Sequence, residues 1–163
     1  MADRGLTVAV RELRRGRLLS ARAGLESVGG RLLPEERNLK ATALAEILQL
    51  GGSSSEARQQ AEVVLRDGHA EAVLRSRCLT VVGNLAADAG ELDQASARHR
   101  QAIDLARKAG DPGQLARSQL RLLSTIADRN SADFVAPSAA DVRKNVIHLI
   151  QARDGGKVSQ ASQ

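Results

Sequence analysis

Aromatic side chains are almost missing from this chain: Phe134 stands alone, with no Trp and no Tyr. A core without rings must be filled by small and branched side chains at close approach, which suits helices meeting through Ala and Gly. The same lack removes the stacking platforms that hold single-stranded nucleic acid. Cys78 is the only cysteine, so no disulfide can form within the chain. Lysine is confined to Lys40, Lys108, Lys144 and Lys157, and arginine supplies nearly all of the basic charge. No apolar run approaches the roughly 20 residues of a membrane span. The N-terminus has no uninterrupted apolar stretch of the secretory type. A soluble, cytoplasmic protein that does not enter a membrane is the expectation.

Signs of chemistry are also scarce. His69, His99 and His148 lie far apart, and none stands at the H-x3-H or C-x2-C spacing of a metal site. Gly51-Gly52 is not followed by the Gly-Lys-Ser/Thr of a phosphate loop. Glu35-Glu36 suits the positive end of a helix. Cys78 falls on an apolar stripe, where a free cysteine acts as a small hydrophobe. The reading is a non-enzyme without catalytic residues, cofactor or metal.

The chain has 163 residues, 42% of them hydrophobic, and a net charge of +5. The basic excess lies at the start. Residues 1–33 hold seven arginines against Asp3, Glu12 and Glu26. Such an end can meet nucleic acid, an acidic lipid surface or an acidic protein, or can simply be a solvated face.

Glycines punctuate the chain at 16, 29–30, 51–52, 68, 90 and 110, followed by Pro137. Between them apolar residues recur three and four apart, as in Leu74, Cys78, Val81, Val82, Leu85 and Ala89. Pro34 suits the first turn of a helix. Ser53 with Glu56 has the spacing of a capping box, Asp111-Pro112 offers an N-cap followed by proline, and Ser138 with Asp141 opens a last helix. The spacing predicts helices at 3–14, 17–28, 34–50, 54–67, 70–89, 92–109, 112–129 and 139–152. The segment 130–137 reads as irregular.

Self-comparison shows a repeat. Gly16/Ala21, Gly52/Ala57 and Gly90/Ala95 recur 36 and 38 residues apart, each preceded by a small residue at Ala9, Ala45 or Gly83. The third repeat has Leu79, Val82-Gly83, Ala86, the turn Gly90-Glu91-Leu92, then Ala95, His99 and Ala102. These positions resemble the tetratricopeptide repeat (TPR) family over about residues 2–129. Leu79 takes the Trp place of that pattern, Ala86 the Tyr place and His99 the Phe place. The family's aromatics are missing here and its closing Pro is displaced, as in longer bacterial variants of the repeat. A plain helical bundle shares the periodicity but does not demand the in-phase Gly and Ala.

The resemblance implies an all-α fold: an α-solenoid of antiparallel helix pairs, about 3.5 repeats, closed by a C-terminal capping helix at 139–152. Val142, Val146, Leu149 and Ile150 would cover its open end. Residues 1–153 would form the helical repeat domain and 154–163 a disordered tail. The resemblance further implies a concave groove lined by the first helix of each pair. Its partner-binding positions would be Arg77, Thr80, Asn84, Arg117, Arg121 and Ser124, near Glu46 and Asp88. These arginines can receive an acidic segment or a C-terminal carboxylate of a protein or peptide. They can equally be solvated, or paired with Asp88 and Asp128. The functional expectation is a protein-interaction scaffold or adaptor, free-standing or as the sensor module of a regulator. The alternative is a nucleic-acid-binding helical protein using Arg11, Arg14, Arg15, Arg17 and Arg22, although no helix-turn-helix signature accompanies them.

Overall fold

The computed structural model describes residues 4–133, with side chains to residue 130. The described residues are all-helical: α1 (Arg4–Arg14), α2 (Leu18–Ser27), α3 (Pro34–Leu50), α4 (Ser54–Arg66), α5 (Ala72–Asp88), α6 (Leu92–Ala109) and α7 (Pro112–Asp133). No strand occurs among them, and no helix of theirs is long and apolar enough to cross a membrane. The helix expected at 139–152 and the tail at 154–163 lie outside the described residues. The chain divides at Arg129 into two compact units, and the contacts described belong to the first.

One turn is built four times. Gly16, Gly52, Gly90 and Gly110 all have positive φ, between 66° and 79°, a conformation that glycine adopts without a Cβ penalty. At each, the N–H of the following residue reaches back five residues: Arg17 to Glu12, Ser53 to Leu48, Glu91 to Ala86 and Asp111 to Ala106. This is the Schellman closure, which satisfies carbonyls left open at a helix end. The next helix then starts in the same register, with Ala21, Ala57, Ala95 and Leu115 each donating to the residue four before it.

The helix starts differ from one another. Pro34 opens α3, and Glu36 accepts the Leu33 N–H at 3.0 Å. Asp111 caps α7 through the Gln114 N–H at 2.8 Å. Ser53 makes no side-chain cap, so the Ser53–Glu56 capping box does not form. At the far end α7 continues to Asp133, through residues expected to be irregular.

Two apolar clusters share α3. Leu6, Ala9, Val10, Ala21 and Leu25 of α1 and α2 pack with Ala43 and Ile47. Ala41, Ala45 and Leu48, on other faces of α3, pack with α4 and α5. Helix α5 is buried almost all round, from Leu74 to Ala86. In contrast, α4 and α6 bury single stripes, Ala57-Ala61-Val64 and Ala95-His99-Ala102-Ala106. Helices apolar all round are interior helices, and striped ones form the outside of a layer. Among α1 to α6 each helix contacts only neighbours one or two places along the chain: α1 reaches α3 and α3 reaches α5, but α2 does not touch α4.

Gly83 and Ala95 are both buried, and the His99 ring lies nearest to Gly83. The nearest atoms to a Cβ placed there all belong to the His99 ring, at 2.5 to 3.0 Å. The missing side chain at Gly83 is the space that this imidazole occupies.

Candidate partner-binding groove

A groove of about 610 Å³ runs across the odd-numbered helices. Leu13 and Arg14 come from α1, Leu39, Glu46, Gln49 and Leu50 from α3, Val73 to Asn84 from α5, and Gly113 to Arg121 from α7. Glu71 and Asp111 contribute from just before α5 and α7, whereas α2, α4 and α6 contribute nothing.

The floor includes Thr80 and Gln114, which belong to a ladder of buried polar groups. Asn38, Ser76 and Gln114 stand 38 residues apart, as do Thr42, Thr80 and Ser118, and all six are buried. Thr42 and Thr80 each donate to the carbonyl four residues back, Asn38 and Ser76. Thr80 Oγ1 also meets Ser118 Oγ at 3.2 Å. The Gln114 amide nitrogen donates to Ser76, Thr80 and Ser118 at 3.1 to 3.3 Å. The Gln114 carbonyl oxygen is buried without a partner. Thr80 thus lines the groove from beneath, with its hydroxyl engaged inside the protein.

Above that floor, Arg77 bridges α5 to α3. Its Nε and Nη2 donate to the two Glu46 oxygens at 2.8 and 2.7 Å. Burial opposes the Arg77 charge, but the Glu46 carboxylate outweighs it and holds the guanidinium above its ordinary pKa. A planar fork bound at both prongs is already occupied. Arg77 is therefore not a free cation in the groove, and its partner is Glu46 on the neighbouring helix rather than Asp88 or Asp128. Asn84 is engaged too, donating to Gln49 Oε1 at 3.3 Å.

Arg117 and Arg121 differ. Both are exposed, both line the groove, and neither guanidinium has an ion pair or hydrogen bond with a described residue. Asp88 and Asp128, considered as their partners, are exposed and make no ion pair among the described residues. Ser124 is exposed but does not line the groove. Arg14, assigned from sequence to the basic first repeat, also lines the groove and has no ion pair with a described residue. Of the three acids in the lining, Glu46 is taken by Arg77, Asp111 faces the first turn of α7 through Gln114, and Glu71 has no ion pair with a described residue.

The basic N-terminal end is partly neutralised. Arg15 and Arg17 both reach Glu12, at 3.4 and 3.1 Å, and Arg22 reaches Glu26 at 2.8 Å. The hydrogen bond from Arg17 leads in holding the Glu12 carboxyl below its usual range. His69 is an exposed turn residue whose N–H bonds Asp67, and His148 lies outside the described residues. Cys78 is buried in the α3–α5 contact, 3.5 Å from Thr42 Oγ1, and burial pushes its thiol up to about 11. No family model, curated protein or solved structure matches the chain.

Proposed function

We propose that this chain is an adaptor of the tetratricopeptide type, an α-solenoid of antiparallel pairs α1/α2, α3/α4 and α5/α6 with α7 opening a fourth. In this reading it binds an extended protein segment in the groove and performs no reaction. The repeated turn, the neighbour-only contacts and the separation of interior from outer helices support the architecture. The observation that carries the function is the pair Arg117 and Arg121, one helical turn apart, on the wall of a groove with no ion pair among the described residues. An acidic segment or a C-terminal carboxylate of the partner supplies the missing charge. Contacts from exposed arginines are screened, so binding is modest and salt-sensitive.

The test starts with a partner captured from the native host. Arg117→Glu with Arg121→Glu should weaken its binding about tenfold or more, about 1.4 kcal/mol, with the far-ultraviolet circular dichroism unchanged. Arg11→Glu with Arg15→Glu is the control, because both residues are exposed and lie outside the groove lining. If the control abolishes binding and the groove pair does not, the basic first repeat is the binding surface. A strongly salt-dependent gel shift would then identify nucleic acid as the partner.

A further inference from the structure

A second hollow, of about 430 Å³, lies between α4 and α6. The backbones of these two helices do not approach each other, and the hollow opens where both flank α5. Arg75 and Leu79 of α5 line the gap, with Leu65 from α4 and Arg98, Asp104 and Leu105 from α6. The volume is that of a small-molecule site.

We propose that this hollow binds a small monocarboxylic acid with an apolar chain, independently of what occupies the groove. The Arg75 Nε is buried and has no acceptor. Arg98 donates only to the neutral Gln101 carboxamide, at 3.3 Å. Neither arginine has an ion pair with a described residue. The one carboxylate in the lining, Asp104, is engaged by Arg107 at 3.1 Å. Two guanidiniums thus line the hollow together with Leu65, Leu79 and Leu105, and neither is matched by a carboxylate of a described residue. A carboxylate fits the guanidinium fork, and its chain finds cover on the leucines. A carboxylate on an apolar chain uses both the cations and the leucines of this lining, whereas inorganic phosphate finds only the cations.

The repeat offers an internal comparison. Shifted by 38 residues, Arg75, Leu79, Arg98 and Gln101 fall on Arg37, Ala41, Gln60 and Val63. The arginine pair does not recur there, and Arg37 is exposed. Stacking of this repeat therefore does not itself require two cations at the α4–α6 gap.

Isothermal titration of the full chain with sodium octanoate, octanamide, acetate and inorganic phosphate tests the proposal, together with methyl NMR of the leucines. Octanoate should bind one to one and shift the methyls of Leu65, Leu79 and Leu105. Octanamide, acetate and phosphate should each bind at least about tenfold more weakly. Arg75→Met keeps the apolar stem and should weaken octanoate by about tenfold, as should Arg98→Met, while Arg117→Glu with Arg121→Glu leaves it unchanged. Octanamide binding as well as octanoate would overturn the proposal. So would phosphate binding equally well, no octanoate binding at millimolar concentration, or loss of binding only in the groove variant. In those cases Arg75 simply lays its stem on the leucines.

Discussion

At the scale of single residues, the tightest fit is His99 against Gly83. A methyl at Gly83 would fall 2.5 Å from His99 Cε1, and the ring is enclosed, with little room to withdraw. Gly83→Ala should therefore cost about 1–3 kcal/mol by overpacking, although alanine favours helix by about 1 kcal/mol over glycine. Adding His99→Ala should return much of that loss, which urea unfolding followed by circular dichroism would show as strong coupling between the two sites. Equal effects of Gly83→Ala in both backgrounds would contradict the contact. The same imidazole gives a pH dependence. Burial first, and the Arg121 charge second, lower its pKa from 6.5 to about 4. Between those values the unfolded chain takes up a proton that the folded chain refuses. The contribution is complete above the upper value and is lost as pH falls toward the lower one. Comparing urea midpoints at neutral and acidic pH should show a steeper loss for the wild type than for His99→Gln.

At the scale of helices, Arg77 and Glu46 hold α5 to α3. Their side chains are only 15% and 19% exposed, and hydrogen bonds to mostly buried charges weigh more than surface pairs. Arg77→Met should cost about 2 kcal/mol, because it strands the Glu46 carboxylate. Replacing Glu46 by Leu as well should recover part of this, since the remaining cost is desolvation of an unpaired charge. Denaturation midpoints of the three variants check the order. This bridge also marks where the sequence stopped being readable. The ends of α3 and α6 were legible because Pro34, Gly52, Asp111 and Gly110 act within a few residues of themselves. The buried place of Cys78 followed from its stripe. Arg77 and Glu46 are 31 residues apart, and Asn84 and Gln49 are 35 apart. Such pairs depend on how one helix is rotated against the next, which periodicity does not encode. Arg14 in the groove was missed for the same reason. Ser53 and Glu56 show the converse, a correct spacing whose side chains do not bond.

For the molecule as a whole, the contact order between elements has a direct consequence. Helices α1 and α2 touch each other and α3, but nothing beyond it among α1 to α6. Where neighbours supply most of the contacts, an end pair can be removed without dissolving the rest. A variant lacking residues 1–30 should keep cooperative helical melting by circular dichroism. It should melt at a lower temperature, because Ala43 and Ile47 lose the cover of Leu6, Ala9 and Leu25. Collapse of all helical signal at low temperature would mean that the first pair completes a closed bundle. The groove loses only Leu13 and Arg14 of its lining by this deletion, so a partner bound as proposed, through Arg117 and Arg121, should still bind.

The sulfur at the α3–α5 seam turns the protein into its own clock. Alkylation needs a thiolate that a reagent can reach, and Cys78 offers neither while the seam is shut. With a single cysteine in the chain, the labelling rate counts how often these two helices part, which can be far more often than the chain unfolds. Weakening the bridge with Arg77→Met should quicken that rate, whereas a partner seated across both helices should slow it.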